Sequence, residues 1–143
     1  DSEFIVMVVG GPNARKEFHY NEGEEFFYQI EGKMELPIRE NGKTRMIEIK
    51  EGEIFLLPGK VEHSPQRYKN TIGLVIERVR KEGETDACSW YCEKCDELLH
   101  RASFQLHDIV DELPVLMQAY YDDMSLRTCK KCGTVMEIPK LKE

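Results

Sequence analysis

A chain of 143 residues is long enough for one ordinary domain core, with room for a small appendage. Its 27 acidic residues outnumber its 20 basic ones, and a formal charge of −7 without a basic run makes binding of duplex nucleic acid a poor interpretation. No stretch approaches the roughly 18 to 20 apolar residues that span a bilayer, and the N-terminus lacks the features of a secretory signal, so we expect a cytoplasmic protein.

Between residues 4 and 79, short runs of β-forming residues alternate with turn residues. This spacing is typical of a sandwich or barrel. Asn41-Gly42 lies between two of the runs and is a strong hairpin signal. The predicted strands are 4–9, 15–20, 24–30, 33–40, 44–50, 53–58 and 72–79. We therefore place a β-barrel core in residues 1–82; because the sequence begins almost within the first run, we expect that a preceding segment is missing from it.

After residue 82 the pattern changes, and we treat residues 83–143 as a C-terminal segment. Apolar residues recur there at helical spacing. They are Leu106, Ile109, Val110, Leu113, Leu116, Met117 and Tyr120. Because proline removes a helix hydrogen bond, one unbroken helix is not expected; Pro114 predicts a turn or short helix up to Leu113 and a helix that begins near Pro114.

Four of the five cysteines form two C-x-x-C pairs, 33 residues apart. They are Cys92, Cys95, Cys129 and Cys132. Without a secretion signal, metal ligation is favoured over a disulfide framework. Four thiolates suit tetrahedral zinc or iron, and on this chemistry alone zinc is favoured. Cys88 is predicted to be a free thiol, and His100 and His107 are predicted to be structural or surface residues.

A second group of candidate ligands lies in the strand-rich region. His19 and Glu25 are six residues apart, and His63 follows a later strand. Two imidazoles and one carboxylate form the ligand set of a facial triad, which suits Fe(II) and leaves the opposite face of the metal free for substrate and O₂. A single histidine in a strand is usually structural, so this interpretation depends on the joint context.

That context resembles the cupin superfamily. In residues 11–32, His19 is followed by Glu25, and six further residues separate Glu25 from Gly32, as in the first cupin motif. The second cupin motif, G-x5-P-x4-H, is matched by Gly52, Pro58 and His63. Asn21 stands where the first motif usually has a second His, which reduces the metal ligands from four to three. Arg67 stands where the second motif usually has Asn, which adds a cation beside the metal. The resemblance implies a cupin-type barrel of the jelly-roll kind.

Strand alternation predicts which further side chains face this centre, because residues two apart share a face. Arg15 and Arg67 each lie four residues from a candidate ligand histidine, and guanidinium groups bind carboxylates in a bidentate manner. Either arginine could instead be a surface charge. Glu77 shares its strand face with Val75 and Val79, which makes it either a member of the pocket or part of an outward face.

A closer resemblance is to the 3-hydroxyanthranilate 3,4-dioxygenase family. The segments VGGPNARKEFH, EEFFYQIEG, GEIFLLPGKVEHSPQR, LVIER, WYCEKC and CKKCG carry it across nearly the whole chain. The resemblance implies that His19, Glu25 and His63 hold the catalytic Fe(II). It further implies that Arg15 and Arg67 bind the substrate carboxylate and that Glu77 hydrogen-bonds the substrate near its amino or hydroxyl group.

The same resemblance implies an activity. Family members open the ring of 3-hydroxyanthranilate with O₂ in the kynurenine route towards quinolinate and NAD, and those that keep the four cysteines hold a rubredoxin-like iron there. It also implies a homodimer. Two other classes stay open from the residues alone: a non-catalytic metal-binding cupin that senses or stores a carboxylated ligand, and a zinc-ribbon interaction protein that uses the barrel as a scaffold.

Overall fold

The computed structural model describes residues 2–143 and is mainly β. Its strands in chain order are β1 (Phe4–Gly10), β2 (Phe18–Tyr20), β3 (Glu25–Glu31), β4 (Met34–Glu40), β5 (Lys43–Ile49), β6 (Ile54–Leu57), β7 (Glu62–His63), β8 (Gln66–Arg67), β9 (Ile72–Arg78), β10 (Asp86–Tyr91) and β11 (Leu98–Phe104). Two helices follow, α1 (Ile109–Asp122) and α2 (Met124–Arg127). The seven predicted strands are all present, within three residues at either end.

The strands form two antiparallel sheets around one core. One sheet has the order β1-β9-β3-β6, and the other has the order β11-β10-β2-β7-β4-β5, with β8 paired to β4. The buried apolar side chains of the core come from both sheets, since alternate residues of each strand point inwards. They are Phe27, Met34, Leu36, Ile38, Ile49, Leu57 and Val75. The predicted cupin-type barrel is therefore confirmed.

The predicted hairpin at Asn41-Gly42 joins β4 to β5. Both residues have positive φ angles, 51° and 73°, which is the requirement of a type I′ turn. Glu40 and Lys43 are the paired residues that close the hairpin. Register is thereby set along β4, the strand against which β7 and β8 also pair.

Residues beyond 82 contribute two strands that the sequence patterns did not predict. β10 pairs with β2 on one side and with β11 on the other, so the larger sheet continues past residue 82. A second apolar cluster packs α1 against β10, with Trp90 and Tyr120 stacked at a centroid distance of 4.0 Å. The division of the chain into domains at residue 82 stays a prediction.

The prediction of a helix that begins near Pro114 is wrong, because α1 begins at Ile109 and continues through Pro114. The Asp108 carboxylate caps the helix by accepting hydrogen bonds from the amides of Val110 and Asp111 at 2.8 and 3.1 Å. The cap therefore sets the start of the helix, and the proline removes only one internal amide donor. In residues 2–143, neither helix is long and apolar enough to cross a membrane.

Candidate metal centre and substrate pocket

Three strands bring His19, Glu25 and His63 together. His19 on β2 and His63 on β7 are paired residues of the larger sheet, and Glu25 is the first residue of β3 in the facing sheet. One ligand atom from each side chain lies within 4.8 Å of the other two. All three residues are buried, with at most 7% of their surface exposed. Sequence reasoning placed these residues in one site, and the structure brings them into contact.

Hydrogen bonds leave one nitrogen of each imidazole free for a ligand role. Nδ1 of His63 donates to the Val61 carbonyl at 2.9 Å, which leaves Nε2. Nε2 of His19 donates to Oδ2 of Asp86 at 2.6 Å, which leaves Nδ1. Partners of this kind fix the tautomer and orientation of metal-binding histidines.

The three side chains fit a metal ion. Oε2 of Glu25 lies 2.8 Å from Nε2 of His63, yet it has no hydrogen bond of good geometry within residues 2–143. Two ligand atoms about 2.1 Å from one metal and at right angles to each other would be about 3 Å apart. Asn21 does not add a fourth ligand, because its Oδ1 accepts the amide of Gly23 at 3.0 Å.

Charges in the centre shift the proton affinity of its members. Burial lowers the pKa of His19, since the charged ring is removed from water. Burial acts in the same direction on His63, but the adjoining Glu25 carboxylate outweighs it and raises the pKa of that ring. Burial would raise the pKa of Glu25, whereas the two imidazoles together lower it. The carboxylate is therefore ionised at neutral pH, as a metal ligand must be.

Arg67 and Arg15 line a cavity of about 200 Å³ beside this centre, together with Asn13 and Glu77. The Arg67 side chain is buried and has no hydrogen bond or ion pair with any of the residues that the structure describes, and its Nη1 is a buried donor without a partner. Burial, followed by repulsion from Arg15, lowers the pKa of Arg67 to about 10. Arg15 differs, because its Nε donates to the buried carboxylate of Glu17 at 2.5 Å. The cavity thus holds a cation that forms no ion pair with a carboxylate of residues 2–143, although the charge of Glu25 opposes part of the fall in its pKa.

Glu77 faces inwards from β9 and is 3% exposed, which excludes the interpretation as part of an outward strand face. It pairs with Glu25 in the register of β9 and β3. Burial raises the pKa of Glu77, and the Arg80 guanidinium that donates to its carboxylate opposes this rise. Arg80 also binds Asp86 through two hydrogen bonds.

The remaining wall of the cavity is apolar. Met7, Val9, Phe27 and Val75 line it from the smaller sheet, and Ile109 and Leu113 line it from the first turns of α1. Sequence reasoning did not assign Ile109, Leu113, Asn13, Arg80 or Asp86 to the site. Helical periodicity identified the two α1 residues as buried, but nothing in the pattern located that helix over the barrel mouth.

The four paired cysteines form a second candidate metal centre. Sγ of Cys92 lies 3.6 Å from that of Cys132, and Cys95 and Cys129 are the same distance apart. These separations exclude disulfides, whose sulfurs are about 2.05 Å apart. They match the separation of about 3.8 Å that follows from tetrahedral bonds of about 2.3 Å. The centre can therefore hold the metal for which its thiolates are suited.

The two C-x-x-C loops have matching backbone turns. The amide of Asp96 donates to the Cys92 carbonyl, and the amide of Gly133 donates to the Cys129 carbonyl, at 2.9 and 2.8 Å. Asp96 and Gly133 occupy equivalent positions and both have positive φ. A hydrogen bond with Thr134 lowers the pKa of Cys132 to about 6, which favours the thiolate that a metal needs.

The cysteine and the two histidines that the sequence predicts not to be ligands lie outside both centres. Cys88 is buried on β10 opposite His19, and burial raises its pKa to about 12, so the thiol stays protonated. His100 stacks beside Trp90 and Tyr120, and the imidazole of His107 is exposed near Glu112.

Comparison with known proteins identifies relatives over nearly the whole chain. The family model described as 3-hydroxyanthranilic acid dioxygenase matches residues 1–121. A 3-hydroxyanthranilate 3,4-dioxygenase of Xanthomonas campestris pv. campestris is 50% identical over 96% of this chain and 78% of its own length. One of Bacillus thuringiensis is 44% identical over 95% and 76%. The solved structure of protein NMB1881 from Neisseria meningitidis aligns with 53% of this chain and 72% of its own, at 21% identity and a TM-score of 0.42. The chain belongs to the 3-hydroxyanthranilic acid dioxygenase family.

Proposed function

We propose that the protein binds Fe(II) through His19, Glu25 and His63 and uses O₂ to open the ring of 3-hydroxyanthranilate, forming 2-amino-3-carboxymuconate semialdehyde. The observation that carries this proposal is that three buried donors converge beside a cavity which is also lined by a buried guanidinium without a partner among residues 2–143. The names of the relatives supply the substrate. A cavity of about 200 Å³ suits a small aromatic acid, since drug-sized ligands occupy about 300 to 1,000 Å³.

Fe(II) held by three protein ligands would supply open coordination positions and electron transfer between an aromatic ring and O₂. Zinc would provide the first property without the second, because it has no redox chemistry. The donor set is therefore consistent with iron as the ion at this centre.

The side chains around the centre bind and orient the substrate. Arg67 would pair with the substrate carboxylate, and this contact would give the buried cation the acceptor that it lacks among residues 2–143. Arg15 adds positive charge on the same side of the cavity. Glu77 would accept a hydrogen bond from the amino or hydroxyl group of the substrate and would take up a proton there.

The apolar wall would hold the ring and exclude water. Phe27 and Val75 contribute from the barrel, and Ile109 and Leu113 cover the opening from α1. Removal of water strengthens every charge interaction in the cavity and keeps the substrate in one orientation.

The four-cysteine centre is proposed to hold a second iron, or zinc, with a structural role. A metal held there would fasten the loop after β10 to the loop after α2, since each loop supplies two of the four thiolates. We further propose that the protein is cytoplasmic, forms a homodimer and acts in the kynurenine route towards quinolinate and NAD.

Turnover of the Fe(II)-loaded protein tests the proposal directly. Anaerobically loaded protein is mixed with 3-hydroxyanthranilate and O₂, and the ring-opened chromophore and O₂ consumption are followed together. Equal molar formation and consumption are expected. Absence of turnover in protein with both centres loaded would favour a cupin that only binds a carboxylated ligand, or an interaction module built on the four cysteines.

Variants of histidine test the ligand assignment. His63→Ala should abolish turnover and leave the metal at the four-cysteine centre in place. His107→Ala is the matched control, because its imidazole is exposed and belongs to neither group of ligands, and wild-type kinetics are expected. Wild-type activity in His63→Ala would show that the assignment is wrong.

A further inference from the structure

Arg80 and Asp86 form a buried ionic link between the two sides of the proposed site. Asp86 is 1% exposed and the side chain of Arg80 is 7% exposed. Nε and Nη2 of Arg80 donate to Oδ1 and Oδ2 of Asp86 at 2.9 and 2.6 Å, and Nη1 of Arg80 donates to Oε1 of Glu77. One guanidinium therefore orients two carboxylates.

Asp86 in turn orients an imidazole. Its Oδ2 accepts hydrogen bonds both from Nε2 of His19 and from Nη2 of Arg80, each at 2.6 Å. The position of this oxygen therefore depends on Arg80, and the rotation of the His19 ring depends on this oxygen. The only nitrogen left for a ligand role on His19 is Nδ1.

We propose that Arg80 and Asp86 are positioning residues that set the geometry of the metal ligand His19 and of the substrate-binding acid Glu77 at the same time. This inference rests on the proposed function. Asp86 fixes the tautomer and rotation of His19, and Arg80 holds Asp86 and Glu77 in one rigid arrangement. Metal affinity and substrate orientation are thereby coupled through a single guanidinium, although neither residue contacts metal or substrate.

Stability alone does not account for this cluster. Replacing buried ion pairs by apolar residues of similar volume is often neutral or stabilising, because burial removes charged groups from water. The cluster lies where β9 ends and β10 begins, and its hydrogen bonds reach His19 as well as Glu77. The cluster instead orients the groups beside it, as the hydrogen-bond partners of other metal-bound histidines do.

Two variants weaken the hydrogen bond between Asp86 and His19 to different degrees. In Asp86→Ala, His19 loses its acceptor, and the dissociation constant of Co(II) at the histidine–glutamate centre should rise about 10- to 100-fold. Asp86→Asn keeps an oxygen that can accept from Nε2 of His19, and it should recover part of that loss. A merely structural role would not produce this partial rescue in metal affinity.

Arg80→Lys keeps the charge but cannot hold both carboxylates. We expect a weaker Co(II) affinity, by several-fold, together with a decrease in kcat for 3-hydroxyanthranilate of at least tenfold. Arg78→Gln and Glu84→Gln are the matched controls. They alter a neighbouring ion pair, with a distance of 2.6 Å, whose side chains form no hydrogen bond with His19 or Glu77, and both should behave as wild type.

A spectroscopic readout reports on His19 without turnover. In the Co(II)-substituted protein, the imidazole N–H protons of His19 and His63 should give two paramagnetically shifted, solvent-exchangeable NMR signals. Asp86→Ala should lose the His19 signal by fast exchange and retain that of His63, whose donor bonds to Val61. The charge-transfer absorption of Co(II) at the four-cysteine centre shows in each variant that the fold is intact.

The outcomes separate the two proposals. Unchanged Co(II) affinity and two retained N–H signals in Asp86→Ala would overturn the positioning role, whatever the turnover. Wild-type protein that binds Co(II) with both signals but never turns over 3-hydroxyanthranilate would overturn the proposed function instead. If Asp86→Ala fails to fold, Asp86→Asn and Arg80→Lys decide the question by the same measurements.

Discussion

Arg67→Met should make the protein more stable and nearly inactive. Arg67 is 2% exposed, and its side chain has no hydrogen bond or ion pair among residues 2–143. Its pKa falls to about 10 because burial and Arg15 disfavour the charged form. A drop from the usual value above 12 corresponds to about 3 kcal/mol of unfavourable free energy. This penalty is fully present at neutral pH, since a cation whose pKa is lowered by folding destabilises the folded state at every pH below that value.

Methionine fills a similar volume without the charge. We expect it to recover about 1 to 2 kcal/mol of that penalty, which corresponds to a rise in Tm of roughly 3 to 8 °C for a chain of this size. The substrate carboxylate would lose its partner at the same time. Truncating one member of a buried charge pair costs about 2 to 5 kcal/mol, so kcat/KM should fall roughly 30- to 5,000-fold.

Calorimetry and steady-state kinetics on the same metal-loaded preparations measure both quantities. Arg39→Met is the matched control, because this arginine binds the Asp96 carboxylate at 2.8 and 3.0 Å and stacks on the ring of Tyr91. Its loss should lower Tm and leave kcat/KM within about twofold of wild type. A lower Tm for Arg67→Met, or an unchanged kcat/KM, would refute the reasoning.

Three further predictions concern the walls of the site and the second centre. Gly73→Ala would place a β-carbon 2.4 Å from Nη1 of Arg67, so KM for 3-hydroxyanthranilate should rise while Co(II) affinity stays at the wild-type level; an unchanged KM would contradict this packing. Leu113→Ala should lower the free energy of unfolding by about 2 to 3 kcal/mol in a denaturant titration and should also raise KM, because the side chain packs in the second apolar cluster and lines the cavity. Loss of stability without any change in KM would show that Leu113 does not contact the substrate. Cys132→Ser should release the metal at the four-cysteine centre and lower Tm, as measured by metal analysis and calorimetry. Added zinc should restore neither the metal content nor the Tm, and full metal content in the variant would refute the four-thiolate assignment.

Local patterns in the sequence were sufficient for seven of the eleven strands and for both groups of candidate ligands. Strand and hairpin signals depend on residue alternation and on turn residues with positive φ, and Asn41-Gly42 takes that conformation. Ligand types at fixed spacing are also local, so His19 and Glu25, and each C-x-x-C pair, could be identified without long-range information. The short strands β7 and β8 were missed because two residues are too few to show any periodicity.

The start of α1 depended on a local cap that outweighed the proline signal, whereas the partners of the charged side chains depended on long-range contacts. The carboxylate of Asp108 set the helix start, against the expectation that Pro114 raised, because a capping hydrogen bond favours one starting point for the helix. The pairing of β10 with β2 brought Asp86 to His19 from 67 residues away.

From its sequence alone, this protein has a recognisable barrel, a set of ligand types and a family. Only the tertiary structure decided which arginine remains without an acid, which carboxylate orients His19, and which helix covers the cavity. The physical reason is that alternation and spacing report which face of an element is buried, whereas charge pairing in a core depends on the few side chains from distant segments that fold against that face.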